Sequence, residues 1–320
     1  MAMNVLVTGG AGAIGGNLVH ELLKHTEVST IVAVDNLSSG YLENVPSDPK
    51  LHFIQGDIAD MEVLEMVFSK PIDLVFHLAA NFANQNSVEF PDRDLQTNGA
   101  GTLRLLEKAH AYKVKRFIYT SSSCVYGAQT GVLEESMQAN TLDTPYAITK
   151  LLGEQYVRFF YEYHGLPAAI VRLFNTYGAG ERPGKYRNVI PNFFYQALNG
   201  QPLQITGTGQ ETRDFNFIDD TVRGIILAAW REGIEGMIFN IASGVEMSIL
   251  EIAQRINQLT SNPAGVLLKG RRKWDRVFHR RASINRARQF LGYEPTVSLH
   301  EGLRRTGEWF KTTELKECSR

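Results

Sequence analysis

The first half of the chain alternates short β-branched runs with segments whose apolar residues recur at helical spacing. Residues 3–8, MNVLVT, read as a strand, and 13–24 as a helix that sets Ile14, Leu18, Leu22 and Leu23 near one face. Strands follow at 30–34, 51–55 and 73–78, with a helix at 61–68. The pattern then predicts a helix over 97–112, a strand at 116–120, a long helix over 145–164 and a strand at 168–173. Near-continuous apolar strands separated by helices belong to a parallel sheet covered on both faces. The expected fold is therefore α/β, a doubly wound parallel sheet of the Rossmann type.

Past Asn175 this rhythm breaks. Gly178, Gly180, Pro183 and Gly184 mark a loop, followed by a helix over 191–199 and by GQPLQITGTGQETRDF, which reads as a turn-rich, hairpin-like segment. Helices are expected at 220–231, 248–259, 285–291 and 300–310. The organisation predicted is a dinucleotide-binding domain over 1–174 and a smaller mixed α/β substrate domain over 175–320. Some segments cross back, and the cleft between the domains holds the substrate.

Composition narrows the class. The 320 residues are 43% apolar and 21% charged, which excludes disorder, collagen-like repeats and a disulfide-rich scaffold. Thirty-three Lys and Arg against 34 Asp and Glu leave a net charge of -1, giving no global attraction to nucleic acid or an anionic membrane. No apolar run reaches the roughly 18 residues of a membrane span, and no basic segment precedes the first apolar stretch. Two cysteines, Cys124 and Cys318, make no disulfide framework, so the cytoplasm is the expected compartment. The eight histidines form no ligand-spaced cluster, and no metal is expected.

Candidate chemistry begins where the first strand meets the first helix. Gly9, Gly12 and Gly15 are spaced G-x-x-G-x-x-G, with Ala13 and Ile14 opening the helix. Glycines there let backbone N–H groups approach a pyrophosphate, and the helix N-terminus adds a favourable dipole. Asp35 ends the second strand, about 20 residues on, where a carboxylate can accept both adenosine ribose hydroxyls and repel a 2′-phosphate. That favours NAD over NADP. The same residue can equally make an Asx turn in Asp35-Asn36-Leu37-Ser38. Asp57 either contacts the adenine or caps the next helix.

Tyr146 and Lys150 are one turn apart on one face of the long helix. An ammonium beside a phenol favours the phenolate, so Lys150 is expected to draw the Tyr146 pKa down from about 10 towards neutrality and make it a usable base. The run Ser121-Ser122-Ser123 ends a strand, at the edge where doubly wound folds bind their ligands.

Together TGGAGAIG, Asp35, HLAA (77–80), the serines before Val125-Tyr126-Gly127, PYAITK and RDFNFIDD resemble the extended short-chain dehydrogenase/reductases. Within them the chain is similar to the NAD-dependent nucleotide-sugar epimerases and dehydratases of the UDP-glucose 4-epimerase type. The resemblance implies Tyr146 as the base, with Lys150 tuning it and holding the nicotinamide ribose. Ser122 falls at the catalytic Ser/Thr position, and Ser123 is its neighbour in the substrate site. The resemblance adds Asn36, Ile58, Leu78, Ala79, Ala80 and Asn98 to the cofactor's surroundings. Asn175 and Arg213 would touch the substrate diphosphate, and Asn188 and Val189 the nucleotide. An ion pair of Arg213 with Asp214 or Asp219 is the alternative.

Relatives that eliminate water or CO₂ carry an acid in the loop where this chain has Ser122-Ser123-Cys124. A thiol of ordinary pKa, about 8.5, is a poor substitute. Dehydratase and decarboxylase therefore rank below epimerase, and Cys124 reads as a buried, inert side chain. The basic stretch Lys269, Arg271, Arg272, Lys273, Arg276, Arg280 and Arg281 is either a solvated face or a set of grips on the substrate. Nucleic-acid binding fits the neutral overall charge poorly. Arg276 and Arg280 are placed in the substrate site, Arg280 near a position that gates sugar size. A charge at that gate hints at a hexuronate.

The implied protein is a homodimeric, cytoplasmic NAD-dependent epimerase inverting C4 of a UDP-hexose or UDP-hexuronate through a 4-keto intermediate. A 4-ketoreductase, a dehydratase or decarboxylase, and a non-catalytic NAD-binding regulator are the alternatives, and inversion at C2 stays open. Leu103, Leu106, Leu151 and Leu152 fit the dimer face or equally the sheet.

Overall fold

The strand order Ile238–Ile241, Ala168–Leu173, Arg116–Ser122, Leu74–His77, Met3–Thr8, Val28–Asp35, Leu51–Gln55 runs across one seven-stranded sheet. Every pairing in it is parallel. The computed structural model describes residues 2–313; Cys318 lies outside the described residues. From Met3–Thr8 the chain first winds out to Leu51–Gln55, then returns and builds the other half. That reversal lies between Met3–Thr8 and Leu74–His77, so a crevice opens beyond their carboxyl ends.

The alternation of side chains along each strand divides two cores. Val5 and Val7 join Ile31, Ala33, Phe76 and Ile118 on one face, while Leu6 joins Val32, Val34, Val75, Phe117 and Tyr119 on the other. Both faces are covered by helices, as the unbroken apolar strands require. Among the described residues no helix is long and apolar enough to cross a membrane.

The long helix Pro145–His164 starts where predicted because Thr144 caps it, its Oγ1 accepting from the Ala147 N–H at 3.3 Å, with Pro145 pre-set for the first turn. It lies close on the sheet: a Cβ on Gly153 would stand 2.1 Å from the Tyr119 hydroxyl. Beside that contact the Glu154 carboxylate takes both Nε and Nη2 of Arg172, at 2.9 and 2.8 Å, and the Ser121 hydroxyl at 2.5 Å.

Three expected elements differ. The helix expected over 97–112 is a wide π turn, Leu95–Gly101, leading into Thr102–Ala111. Gly99 and Gly101 sit against Leu95, Leu152 and Ile58, where side chains would crowd, and the widened turn fits them in. The hairpin does not form. Leu203–Thr206 pairs in parallel with Val266–Lys269, whereas Thr212–Phe217 pairs with Glu246–Ser248 and Asn175–Tyr177. Between them Gly207 and Gly209 take positive φ, and Glu211 accepts from the Thr208 and Gly209 amides at 3.2 and 2.8 Å, turning the chain towards separate partners. The helix expected over 285–291 is a short π turn, Ala287–Leu291, closed by Gly292 in the left-handed region.

Of the leucines proposed for a dimer face, Leu103, Leu151 and Leu152 are half-buried. Leu106 is fully buried against the sheet, Leu103 packs beside it, and Leu151 packs on a third cluster around Val125 and Tyr126.

Candidate active site

A cavity of about 460 Å³ occupies the crevice, walled on one side by the sheet's carboxyl ends and on the other by residues from 175 onward. At its floor the glycine turn is tight for steric reasons. A Cβ on Gly15 would stand 2.0 Å from the Gly9 carbonyl, and Gly9 itself takes φ 74° against the Ala79 amide. Gly12 is the N-cap of helix Ala13–Leu22; no side chain caps that end and no acidic residue enters its first turn. Gly9, Gly12, Ala13, Ile14 and Gly15 all line the cavity, so the amide-rich end of a helix borders it.

Asp35 makes the Asx turn and still reaches the cavity. Its carboxylate accepts from the Leu37 amide at 2.8 Å and from Ala11 at 3.0 Å. Burial pushes its pKa up while those amides oppose the rise. Asp57 accepts from the Asn36 side chain and the Ala59 amide, both at 2.8 Å, and the next helix is capped by Asp60 instead. Asn36, Asp57, Ile58, Leu78, Ala79 and Ala80 border the same space. The cradle fits a dinucleotide: backbone donors for a diphosphate at one point and a carboxylate for a ribose at the next.

Asn98 does not belong to that lining. It is buried behind it, accepting from the Asn81 amide at 2.8 Å and donating to Asp94 at 3.0 Å, and so shapes the loop that follows HLAA. His77 is likewise internal, bridging Thr8 and Thr102 at 2.8 Å each; burial first, and then Lys150, push its pKa down to about 3.

Tyr146, Lys150, Ser122 and Ser123 converge on the cavity. The expected tuning is reversed in the chain by itself. Burial pushes the Tyr146 phenol well above its ordinary range, and the hydrogen bond with Ser122 only partly opposes that. Lys150 donates to the Thr120 carbonyl, 2.9 Å away, with Nζ 5.9 Å from the centre of the Tyr146 ring. Burial also lowers Lys150 to about 8, against the pull of Asp94 and Glu154.

A stability prediction follows from that lysine. Its pKa in the fold lies below the unfolded value, so the fold bears the full cost of a buried charge below pH 8. Stability then rises as the pH climbs from 8 towards 10.5, because the unfolded chain binds the extra proton. Lys150→Met is expected to melt higher than the parent at pH 7, with the advantage shrinking across that window. Melting curves at pH 7 and pH 9.5 check it; an unchanged or lower melting point at pH 7 refutes it.

The far wall carries the substrate candidates. Asn175, Asn188, Val189 and Arg213 all line it. Arg213 pairs with Asp275 at 3.5 Å, not with Asp214 or Asp219. Asp214 is taken by Ser243, Gly244 and Ala282, and Asp219 by Arg305. Asn188 donates to Glu181 at 3.0 Å, a carboxyl that burial pushes up to about 7. Arg276 sits exposed at the rim, 3.8 Å from Asp143. Arg280 reaches inward, donating to the Gly127 carbonyl at 2.6 Å. Cys124 is half-buried, 3.5 Å from the Asn84 amide nitrogen. Arg271 and Arg281 serve the fold, donating to the Asp275 and Gly244 carbonyls. Among the described residues no group of His, Cys, Asp and Glu is arranged to hold a metal ion.

Sequence reasoning missed the mouth. Trp274 donates to Gln85 at 3.1 Å, and Lys185 and Tyr186 both donate to Glu89 at 2.7 Å, joining the two walls above the cavity. It also missed Glu181 and Phe82, the latter edge-on to the Tyr146 ring at 6.3 Å. Nothing local in the sequence marks these contacts, which link residues far apart in the chain.

The profile of the NAD dependent epimerase/dehydratase family matches residues 5–242. A UDP-glucose 4-epimerase of Mycolicibacterium smegmatis is 34% identical over 97% of this chain and 99% of its own length. The solved structure of an epimerase from the methanogen Methanothermobacter thermautotrophicus superposes with a TM-score of 0.94 at 50% identity, covering 97% of this chain and 92% of that one. A UDP-glucose 4-epimerase of Thermotoga maritima, solved with UDP-glucose, superposes with a TM-score of 0.91 at 35% identity, covering 97% and 99%.

Proposed function

The chain belongs to the NAD dependent epimerase/dehydratase family, and from that premise we propose that it inverts C4 of a nucleotide-diphosphate sugar, a UDP-hexose or UDP-hexuronate, through a 4-keto sugar. One observation carries the reading: Tyr146, Lys150 and Ser122 face the same cavity as an uncapped glycine-rich helix end, while the loop 122–124 offers no carboxylate.

Bound NAD would supply the acceptor and then the donor of a hydride. The chain's residues supply the rest. The Gly9–Gly15 turn holds the cofactor's diphosphate, and Asp35 accepts its ribose hydroxyls. Tyr146 takes the proton of the sugar's C4 hydroxyl and later returns it, with Ser122 hydrogen-bonded to the same oxygen. The raised Tyr146 pKa means the phenolate needs positive charge nearby, and Lys150, protonated below about pH 8, is the chain's own source of it. Arg213 and Asn175 grip the diphosphate, a fixed point about which the sugar can turn. The domain division at 174/175 belongs to the same reading: one part holds the cofactor and the other the nucleotide sugar. So does a cytoplasmic homodimer, paired through the outer face of Pro145–His164, where Ile148 is 52% and Tyr163 80% exposed.

The test is turnover in heavy water with a panel of UDP-, GDP-, CDP- and dTDP-sugars, read by mass spectrometry and proton NMR. The expected product has unchanged mass, inverted C4 and no deuterium on carbon. Loss of water or CO₂, or deuterium at carbon, would overturn the reading in favour of the dehydratase or decarboxylase. Stoichiometric consumption of NADH or NADPH would favour the ketoreductase.

A further inference from the structure

Arg280 is 6% exposed, and among the described residues its buried Nε has no hydrogen-bond partner. Its Nη2 donates to the Gly127 carbonyl, and Nη1 lies 3.9 Å from the Cys124 sulfur. Among the described residues it makes no ion pair; of the carboxylates that line the cavity with it, Asp275 pairs with Arg213 and Asp143 with Arg276. Arg213 stands close enough for the two guanidinium charges to repel, which lowers the Arg213 pKa after burial has done so. A permanently charged group held this far from water with no counter-charge is costly unless something else completes it.

Its place identifies what would. Cys124 follows Ser122 by two residues, and both line the cavity with Tyr146, so Arg280 lies on the sugar side of the site. A neutral sugar leaves the guanidinium unpaired. A carboxylate in the cavity supplies the missing counter-charge to the part of the guanidinium side chain that lines it. We propose that the sugar turned over here bears a carboxylate, as a hexuronate does, and that Arg280 binds it. The inference rests on the epimerase reading and narrows its substrate. It makes Arg280 the residue that separates acidic sugars from neutral ones.

Matched pairs test it: UDP-glucose against UDP-glucuronate, and UDP-N-acetylglucosamine against its uronate, with UDP-N-acetylmuramic acid as the source of a carboxylate on an ether side chain. The acidic member of a pair should exceed the neutral one in kcat/KM by about 10- to 100-fold, the range of a hydrogen-bonded charge. Arg280→Gln should collapse that ratio towards one, and Arg280→Lys should keep part of it. Melting curves and NAD binding establish that each variant is folded. Preference for a uronate puts the carboxylate on C5, and preference for the muramic substrate puts it on the side chain. A neutral sugar preferred by the parent, or a ratio unmoved in a folded Arg280→Gln, overturns the proposal while leaving C4 inversion intact. Arginine-dependent binding of acidic sugars without any C4 epimer would instead overturn the epimerase reading and spare the site.

Discussion

Tyr146→Phe is expected to cut kcat by about 10²- to 10⁴-fold, the usual contribution of a positioned acid–base group, while NAD stays bound. The change removes one oxygen from a buried ring that keeps its edge contact with Phe82, so the fold has little to lose. What disappears is the hydroxyl that the proposed function assigns to the C4 proton, beside Ser122. Steady-state kinetics together with NAD retained after gel filtration separate the outcomes. Lost turnover with cofactor retained agrees with a proton-transfer role. Full activity in the variant would remove Tyr146 from the chemistry, and an assembly that only senses NAD would be indifferent to the change.

Glu154→Ala carries the largest expected cost in stability, about 3–5 kcal/mol, because it strands a buried charge. Glu154 is 1% and Arg172 6% exposed, and the two share a two-point contact. With the carboxylate gone, the Arg172 guanidinium is left, among the described residues, with the Glu135 carbonyl at 3.1 Å and the face of Tyr126. Ser121 loses its acceptor too, and Ser121 immediately precedes the catalytic serine candidate. Urea unfolding measures the effect. A loss below about 1 kcal/mol, the level of an exposed pair, would contradict a buried ion pair at that position.

Six of the sheet's seven strands were legible, most of them because they are buried on both faces and read as apolar runs; the edge strand Ile238–Ile241 was not expected. The glycine turn, Asp35 and the helix carrying Tyr146 were legible because their chemistry needs residues at short, fixed spacing. Where the reading failed, a long-range contact decided the outcome. Leu203–Thr206 and Thr212–Phe217 look like a hairpin until Val266–Lys269 and Glu246–Ser248 claim them separately. Asn98 reads as a cofactor ligand, but the Asn81 amide and Asp94 hold it inside. Helical spacing brings Lys150 to the side of Tyr146, but it says nothing about how deeply both are buried, and burial decides the direction of both shifts.

The contacts across the mouth bear on pace more than on chemistry. Glu89 meets Lys185 where the lysine is 62% exposed, and Gln85 meets Trp274 through one uncharged hydrogen bond. Contacts of this kind compete with water and part readily. The protein thus has a clasp over a compartment whose cofactor never needs to leave, while each sugar nucleotide must pass through twice. Traffic through that opening, tuned by the salt around Glu89 and Lys185, can then set the tempo of the whole cycle.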